Sequence, residues 1–223
     1  KGYAEADPTA DIEGHDACRK IAILTSLVSG QQVDFEDIHC EGITRISATD
    51  IKYAKALGRS IKLLASSRLV DGKYCALVAP FMLSVEHPLY PVSDVFNAVF
   101  VHGNVLGDAM FYGSGAGKLP TASAVVADVV DEAKHLHRNI MTNWSSRPLK
   151  LMTMDEVEGR FFVRVKGTTV EQVEAVFDNV QIVNLKNLPG EFGFITECMK
   201  QGTYEEKVHK LNGNVITMIR VKD

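Results

Sequence analysis

The sequence predicts an α+β chain in which a mostly antiparallel sheet covered by helices is followed by a ferredoxin-like β-α-β-β-α-β unit. Three observations carry this. Apolar residues recur at helical spacing over 13–29 and 119–138. An Asp71-Gly72 dipeptide separates two strand-like runs. Strand and helix patterns then alternate through 160–222.

Residues 13–29 read as the first helix. On a wheel at ~100° per residue, Ile23, Leu24 and Leu27 define an apolar stripe, with Lys20 at its centre and Asp16 on the same face. Cys18, Ala22, Ser26 and Ser29 fall opposite. An exposed acid–base pair four residues apart is common and worth only ~0.2–0.5 kcal/mol. A pair inside an apolar stripe is expected instead to be desolvated or to line a cavity, because burying charge is costly without partners. Its place near the helix start leaves access to solvent open.

Residues 47–57 read as a second helix, with Ser47 as N-cap, Asp50 as capping-box acid and Gly58 as the stop. Strands at 60–70 and 73–84 flank the Asp-Gly turn, a strong hairpin signal. Two more strands are expected at 96–103 and 108–115, then a helix over 119–138 with Pro120 in its first turn. Residues 139–158 are polar and irregular and read as a linker. The expected division is therefore 1–138, a linker at 139–158, and the ferredoxin-like unit at 159–223.

With 223 residues, 46% of them hydrophobic, the chain suffices for one large domain or two smaller ones. A net charge of −4 gives no long-range attraction for nucleic acid or an anionic membrane. The longest apolar run, at 75–85, falls short of the ~20 residues that span a bilayer. Neither is an expected partner. Four cysteines without a C-x-x-C pair point to a reduced, cytoplasmic protein rather than a disulfide framework or zinc site. The chain begins at Lys1, already inside a motif, and is expected to be a piece of something longer.

The stretch GSGAGKLPT at 113–121 is a glycine-rich loop between a strand and a helix, a setting that lets backbone N–H groups approach a negatively charged ligand. It is not a P-loop, because Tyr112 and Leu119 stand where glycine and serine or threonine belong. Lys118 likewise occupies the third glycine of a dinucleotide fingerprint, and a tight structural turn remains the plainer reading. His39, Cys40 and Glu41 have ligand chemistry but no evident fourth partner, so no metal is assigned. His135 and His137 point to different helix faces, and no G-x-S-x-G nucleophile motif occurs.

Three separated motifs together carry a resemblance: GYAEADPTADIEGHDACRK, HPLYPVSDVFNAVFVHG and FYGSGAGKLPTASAVVADVVD. They resemble, in order, the catalytic part of the homoserine dehydrogenase family, over about residues 1–138. The family's N-terminal nucleotide-binding domain has no counterpart here. The resemblance implies an oxidoreductase that interconverts L-homoserine and L-aspartate 4-semialdehyde with NADP or NAD, on the route to threonine, methionine and isoleucine. Lys20 resembles the catalytic lysine, Asp16 and Glu5 the carboxylates that hold the substrate, and Asp11 a supporting acid. Gly2, Gly115 and Gly117 resemble positions that meet the cofactor. The helix after the glycine loop packs on the nucleotide domain in the family, so an exposed apolar stripe of Val125, Val126, Val129 and Val130 is expected here. A homodimer through the first domain's sheet is implied as well.

Residues 160–222 resemble an ACT domain, the amino-acid-binding module that makes many of these enzymes sensitive to threonine. The loop KGTTVEQ lacks the usual proline, which leaves a purely structural or dimerising role open. A different class of function also stays open, a regulatory amino-acid-binding protein without chemistry of its own. A route through a cysteine thiohemiacetal is disfavoured, because Cys18 lies opposite Lys20 and no cysteine is placed beside a candidate base.

Overall fold

The computed structural model describes residues 7–142, 144–186, 188–211 and 214–223. In chain order the elements are α1 (Thr9–Ile12), α2 (His15–Ser29), β1 (Gln31–Gln32), β2 (His39–Cys40), α3 (Ala48–Ala56), β3 (Arg59–Val70) and β4 (Lys73–Ser84). Next come β5 (Phe96–Gly103), β6 (Gly107–Ser114), α4 (Lys118–Lys134) and β7 (Ser145–Pro148). The chain finishes with β8 (Glu158–Lys166), α5 (Val170–Glu174), β9 (Gln181–Val183), β10 (Glu191–Ile195), β11 (Met199–Lys200), α6 (Gln201–His209) and β12 (Val215–Lys222). Two compact units result. One joins residues 9–87 to 144–223, and the described part of the other is 7–8 and 88–142.

The larger unit is built on a mixed sheet of order β2-β4-β12-β8-β10-β9, with β3 on β4 and β11 on β8. Strand β4 organises it. Its one edge carries β3 antiparallel over its full length, while β2 and β12 lie parallel to its other edge, one after the other. Its run from Cys75 to Leu83 is buried throughout, which is why it reads as continuously apolar rather than alternating. The order β12-β8-β10-β9, antiparallel at every step and crossed by α5 and α6, is the ferredoxin-like arrangement expected from 160–222.

This topology corrects the expected division at 138 and 158. Strand β12 bonds to β4, so the C-terminal unit continues the first sheet rather than standing apart. Nor is 139–158 a free linker: β7 pairs in parallel with β1, and the Leu149 and Met152 amides donate to the carbonyls of Gln32 (2.7 Å) and Tyr74 (2.8 Å). A backbone that finds such partners stays on the sheet.

Helix α3 begins as expected. Ser47 caps it, and the Asp50 carboxylate accepts from the Ser47 amide at 2.8 Å. Its Tyr53 and Ala54 pack on Met82, Phe162, Ile195, Ile219 and Val221. Helices α5 and α6 cover the opposite sheet face around Phe161, Val163, Val165, Phe192 and Phe194.

The buried face of α2 is the reverse of the expected one. Cys18, Ile21, Ala22, Thr25 and Ser26 are buried, while Ile23, Leu24, Leu27 and Val28 are exposed. Small side chains let the helix approach Ala76 and Val78 closely. The two hydroxyls are satisfied locally: Thr25 Oγ1 donates to the Ile21 carbonyl (2.7 Å), and Ser26 Oγ donates to Ala22 (2.9 Å) while accepting from the Val33 amide (2.9 Å). A hydroxyl bonded in this way is buried with little penalty.

In the smaller unit β5 and β6 form their own two-stranded antiparallel sheet, in register from Phe96↔Ser114 to Gly103↔Gly107. Helix α4 follows and buries none of its residues. Val125, Val126, Val129 and Val130 are all exposed, the stripe anticipated from the sequence.

Candidate active site

The site is prepared by Gly14. It joins α1 to α2 with φ 78°, and a Cβ there would stand 2.9 Å from Val78 Cγ1. Only glycine combines that left-handed backbone with that proximity. The turn is fixed further by the Ile43 amide on the Ile12 carbonyl (2.7 Å) and Cys40 Sγ on the Glu13 carbonyl (3.3 Å). Asp16 then sits in the first turn of α2 and Lys20 one turn on, with Nζ 2.5 Å from Asp16 Oδ2.

The pair is open: the Lys20 side chain is 71% exposed and that of Asp16 48%. It shares the outer surface of α2 with Ile23, Leu24, Leu27 and Val28. An ion pair this exposed adds little to stability. Its chemistry is a cation, held by a carboxylate, that can donate a proton and neutralise a developing oxyanion.

Asp11 lies on α1, exposed and without an ion pair among the described residues. Glu5 and Gly2 fall outside the described residues. Gly115 and Gly117 belong to the smaller unit. A Cβ on Gly115 would meet the end of the exposed Asn97 side chain, which would have to swing aside. Gly117, at φ 119° and ψ 153°, is the N-cap of α4, and no side chain caps that helix. Its positive end therefore remains available to a phosphate or carboxamide oxygen, which fits a nicotinamide dinucleotide.

Cysteine and metal chemistry are otherwise engaged. Burial and the neighbouring Cys40 push the Cys18 thiol up to about 11, so it is no thiolate nucleophile near neutral pH. Glu41, the third member of the His39-Cys40-Glu41 cluster, is clamped instead by Arg220, whose Nη1 and Nη2 donate to its two carboxylate oxygens at 2.9 and 3.0 Å. His39 Nε2 lies 2.5 Å from Glu41 Oε1. Burial opposes ionisation of this carboxyl, yet the His39 and Arg220 hydrogen bonds and the arginine charge bring it down to about 2. Among the described residues no group of three His, Cys, Asp or Glu side chains is placed to hold a metal.

Sequence reasoning misses Gly14 and the Glu41–Arg220 clamp. The glycine directly before His15-Asp16 is a readable signal. The clamp, spanning 179 positions, has none.

Comparison with known proteins agrees with this framework. The family model described as homoserine dehydrogenase matches residues 1–130. The homoserine dehydrogenase of Mycobacterium tuberculosis is 45% identical over 228 residues, covering 97% of this chain and 49% of the relative. That of Corynebacterium glutamicum is 51% identical over 139 residues, covering 60% of this chain and 31% of its own length. A solved homoserine dehydrogenase from Thiobacillus denitrificans superposes with a TM-score of 0.84 at 29% identity, over 99% of this chain and 56% of that one. One from S. aureus gives 0.79 at 31% identity, again over 99% of this chain and 56% of that one. This chain thus spans 31% to 49% of the length of these curated relatives, and with the family model covering more than half of its sequence, it belongs to the homoserine dehydrogenase family.

Proposed function

We propose that this chain carries the substrate site and proton donor of a homoserine dehydrogenase, interconverting L-aspartate 4-semialdehyde and L-homoserine with NADP or NAD. The observation that carries this is the Asp16–Lys20 pair, displayed on an apolar surface of α2 and unused by the core. When bound, the nicotinamide supplies or accepts the hydride. The Lys20 ammonium gives its proton to the aldehyde oxygen as that oxygen gains negative charge, and recovers it from the hydroxyl in the reverse direction. Asp16 orients Lys20 and, with Glu5 and the supporting Asp11, attracts the substrate's α-ammonium. Gly2, Gly115 and Gly117 are assigned to the cofactor, an assignment that the uncapped N-terminus of α4 at Gly117 supports.

The reading extends to a homodimer formed through the sheet, to a cytoplasmic setting, and to a C-terminal unit that takes threonine as effector. That unit supports such a role through its ferredoxin-like strand order and through Gly167, which turns the loop after β8 at φ 70°. Calorimetry with threonine tests the last assignment, and the absence of heat would count against it.

The decisive assay uses the complete polypeptide, upstream residues included. Homoserine-dependent reduction of NADP and of NAD is followed for wild type and Lys20→Ala, with circular dichroism in parallel. Turnover is expected in the wild type and a loss of roughly 100-fold or more in the folded variant, the scale of a positioned acid–base group. A variant turning over near the wild-type rate would sink the assignment of Lys20. A folded wild type inactive with either cofactor would favour the regulatory reading instead.

A further inference from the structure

The first buried side chain of α2 is Cys18, so Asp16 is steered by the turn that precedes the helix. A separate segment, residues 40–43, braces that turn at three points. The Ile43 amide donates to the Ile12 carbonyl (2.7 Å), and Cys40 Sγ donates to the Glu13 carbonyl (3.3 Å). Between them Gly42 lies so close that a Cβ would stand 2.5 Å from the Ile12 oxygen and 2.6 Å from Glu13 Cα. Backbone packed this closely against backbone transmits a displacement instead of absorbing it.

Glu41, in the middle of the brace, is tied elsewhere. Its amide donates to the Val78 carbonyl (2.8 Å), and its carboxylate takes both arms of the Arg220 guanidinium at 2.9 and 3.0 Å. Arg220 belongs to β12, and its Nη2 also donates to Gln201 Oε1 on α6 at 2.8 Å. The arginine side chain is 6% exposed, and a two-pronged guanidinium–carboxylate pair fixes orientation as well as distance. Stability alone does not require an ion pair at such a place, because apolar groups of similar size often serve as well. What they would not supply is a fixed position for Glu41, and with it the brace on the turn.

We propose that Glu41 and Arg220 are positioning residues for the Asp16–Lys20 pair, holding the turn before α2 through Cys40, Gly42 and Ile43. This role rests on the assignment of Asp16 and Lys20 as substrate carboxylate and proton donor. It ties their turn to β12 and α6, so that the C-terminal unit helps to set the geometry of the site. A misplacement of ~1 Å at a reacting centre can cost ~100-fold in rate, so a small slackening of the brace is enough to be measured.

Two variants of the complete polypeptide test this, Glu41→Ala and Glu41→Ala/Arg220→Met. The single variant strands the arginine, whereas the double variant removes the charge along with its partner, so its urea midpoint should recover toward wild type. Turnover should not recover with it. In the folded double variant kcat/KM for homoserine is expected to stay at least tenfold low, with homoserine KM raised and the cofactor KM within twofold of wild type. A merely structural pair would return turnover together with stability, so wild-type kinetics in the folded double variant overturns the proposal. An equal rise in the cofactor KM, the mark of general loosening, overturns it too. A readout free of catalysis is amide hydrogen exchange in Glu41→Gln, followed by mass spectrometry. Residues 12–20 are expected to exchange at least fivefold faster than in wild type, while residues 48–56 of α3 stay unchanged. Unchanged exchange at 12–20, or equal acceleration in both segments, overturns the brace even if Lys20 proves catalytic. A wild type inactive with either cofactor removes the catalytic reading instead, and exchange alone then decides whether the brace exists.

Discussion

Replacing Asp50 by alanine removes a carboxylate that serves two structures at once. Its Oδ2 accepts from the Ser47 amide (2.8 Å) and hydroxyl (2.6 Å), closing the capping box of α3, and its Oδ1 accepts from Arg164 Nη1 at 2.7 Å. Asp50 is fully buried and Arg164 nearly so. Loss of the cap costs about 1 kcal/mol. A buried guanidinium left without its partner costs about 3–5 kcal/mol, and Glu191 Oε1, 3.4 Å from Arg164 Nε, offsets part of that. Asp50→Ala is thus expected to destabilise the larger unit by about 3–4 kcal/mol, a fall of roughly 1.5–2 M in urea midpoint. The protein's single tryptophan, Trp144, donates to Gln32 Oε1 in that same unit and reports its unfolding by fluorescence. In the double variant Asp50→Ala/Arg164→Met the stranded charge is gone, so the combined loss should fall at least ~1 kcal/mol short of the sum. A single-variant loss below about 1 kcal/mol, or strict additivity, would refute the account of a buried charge held by its cap.

Two further outcomes follow from the geometry around α2 and β2. The Glu41 carboxyl, brought from an ordinary 4.5 down to about 2, contributes stability that is present above pH 4.5 and is lost as pH falls toward 2. Discounted for the third of the side chain that meets solvent, this amounts to about 1–2 kcal/mol, so Glu41→Gln should lower stability at pH 7 and flatten acid unfolding across that window. Gly14→Ala forces a left-handed alanine against Val78, costs about 1–3 kcal/mol, and displaces the first turn of α2. Turnover of the complete enzyme should fall at least tenfold, whereas a variant with wild-type stability and rate would remove Gly14 from the site.

The elements legible in the sequence are those set by local chemistry. Ser47 with Asp50, Asp71-Gly72, and the alternation through 160–222 each state their structure within a few residues. The pairing of β12 with β4 and of β7 with β1 depends on partners more than a hundred positions away, and no local signal encodes them. Helix α2 shows a subtler limit. Hydropathy ranks Thr25 and Ser26 as polar, but hydroxyls that bond to their own helix behave as small core residues. In the candidate site the Asp16–Lys20 pair is visible as an i, i+4 spacing. Its exposure is not, because the apolar stripe around it has the pattern of a core face.

The seam between β4 and β12 also constrains how such a chain could be rebuilt. Because Arg220, Val221 and Lys222 sit beside Phe81, Met82 and Leu83, a C-terminal unit cannot be exchanged like a bead on a string. A graft that entered one residue out of step would send Arg220 to the α3 side and bring Val221 out against Glu41. Removal of the unit would strip the C-terminal half of β4 of its neighbour and expose a buried apolar edge that invites aggregation. Chimeras made within this family should therefore tolerate junctions inside the loops of the ferredoxin-like unit far better than a junction immediately preceding β8.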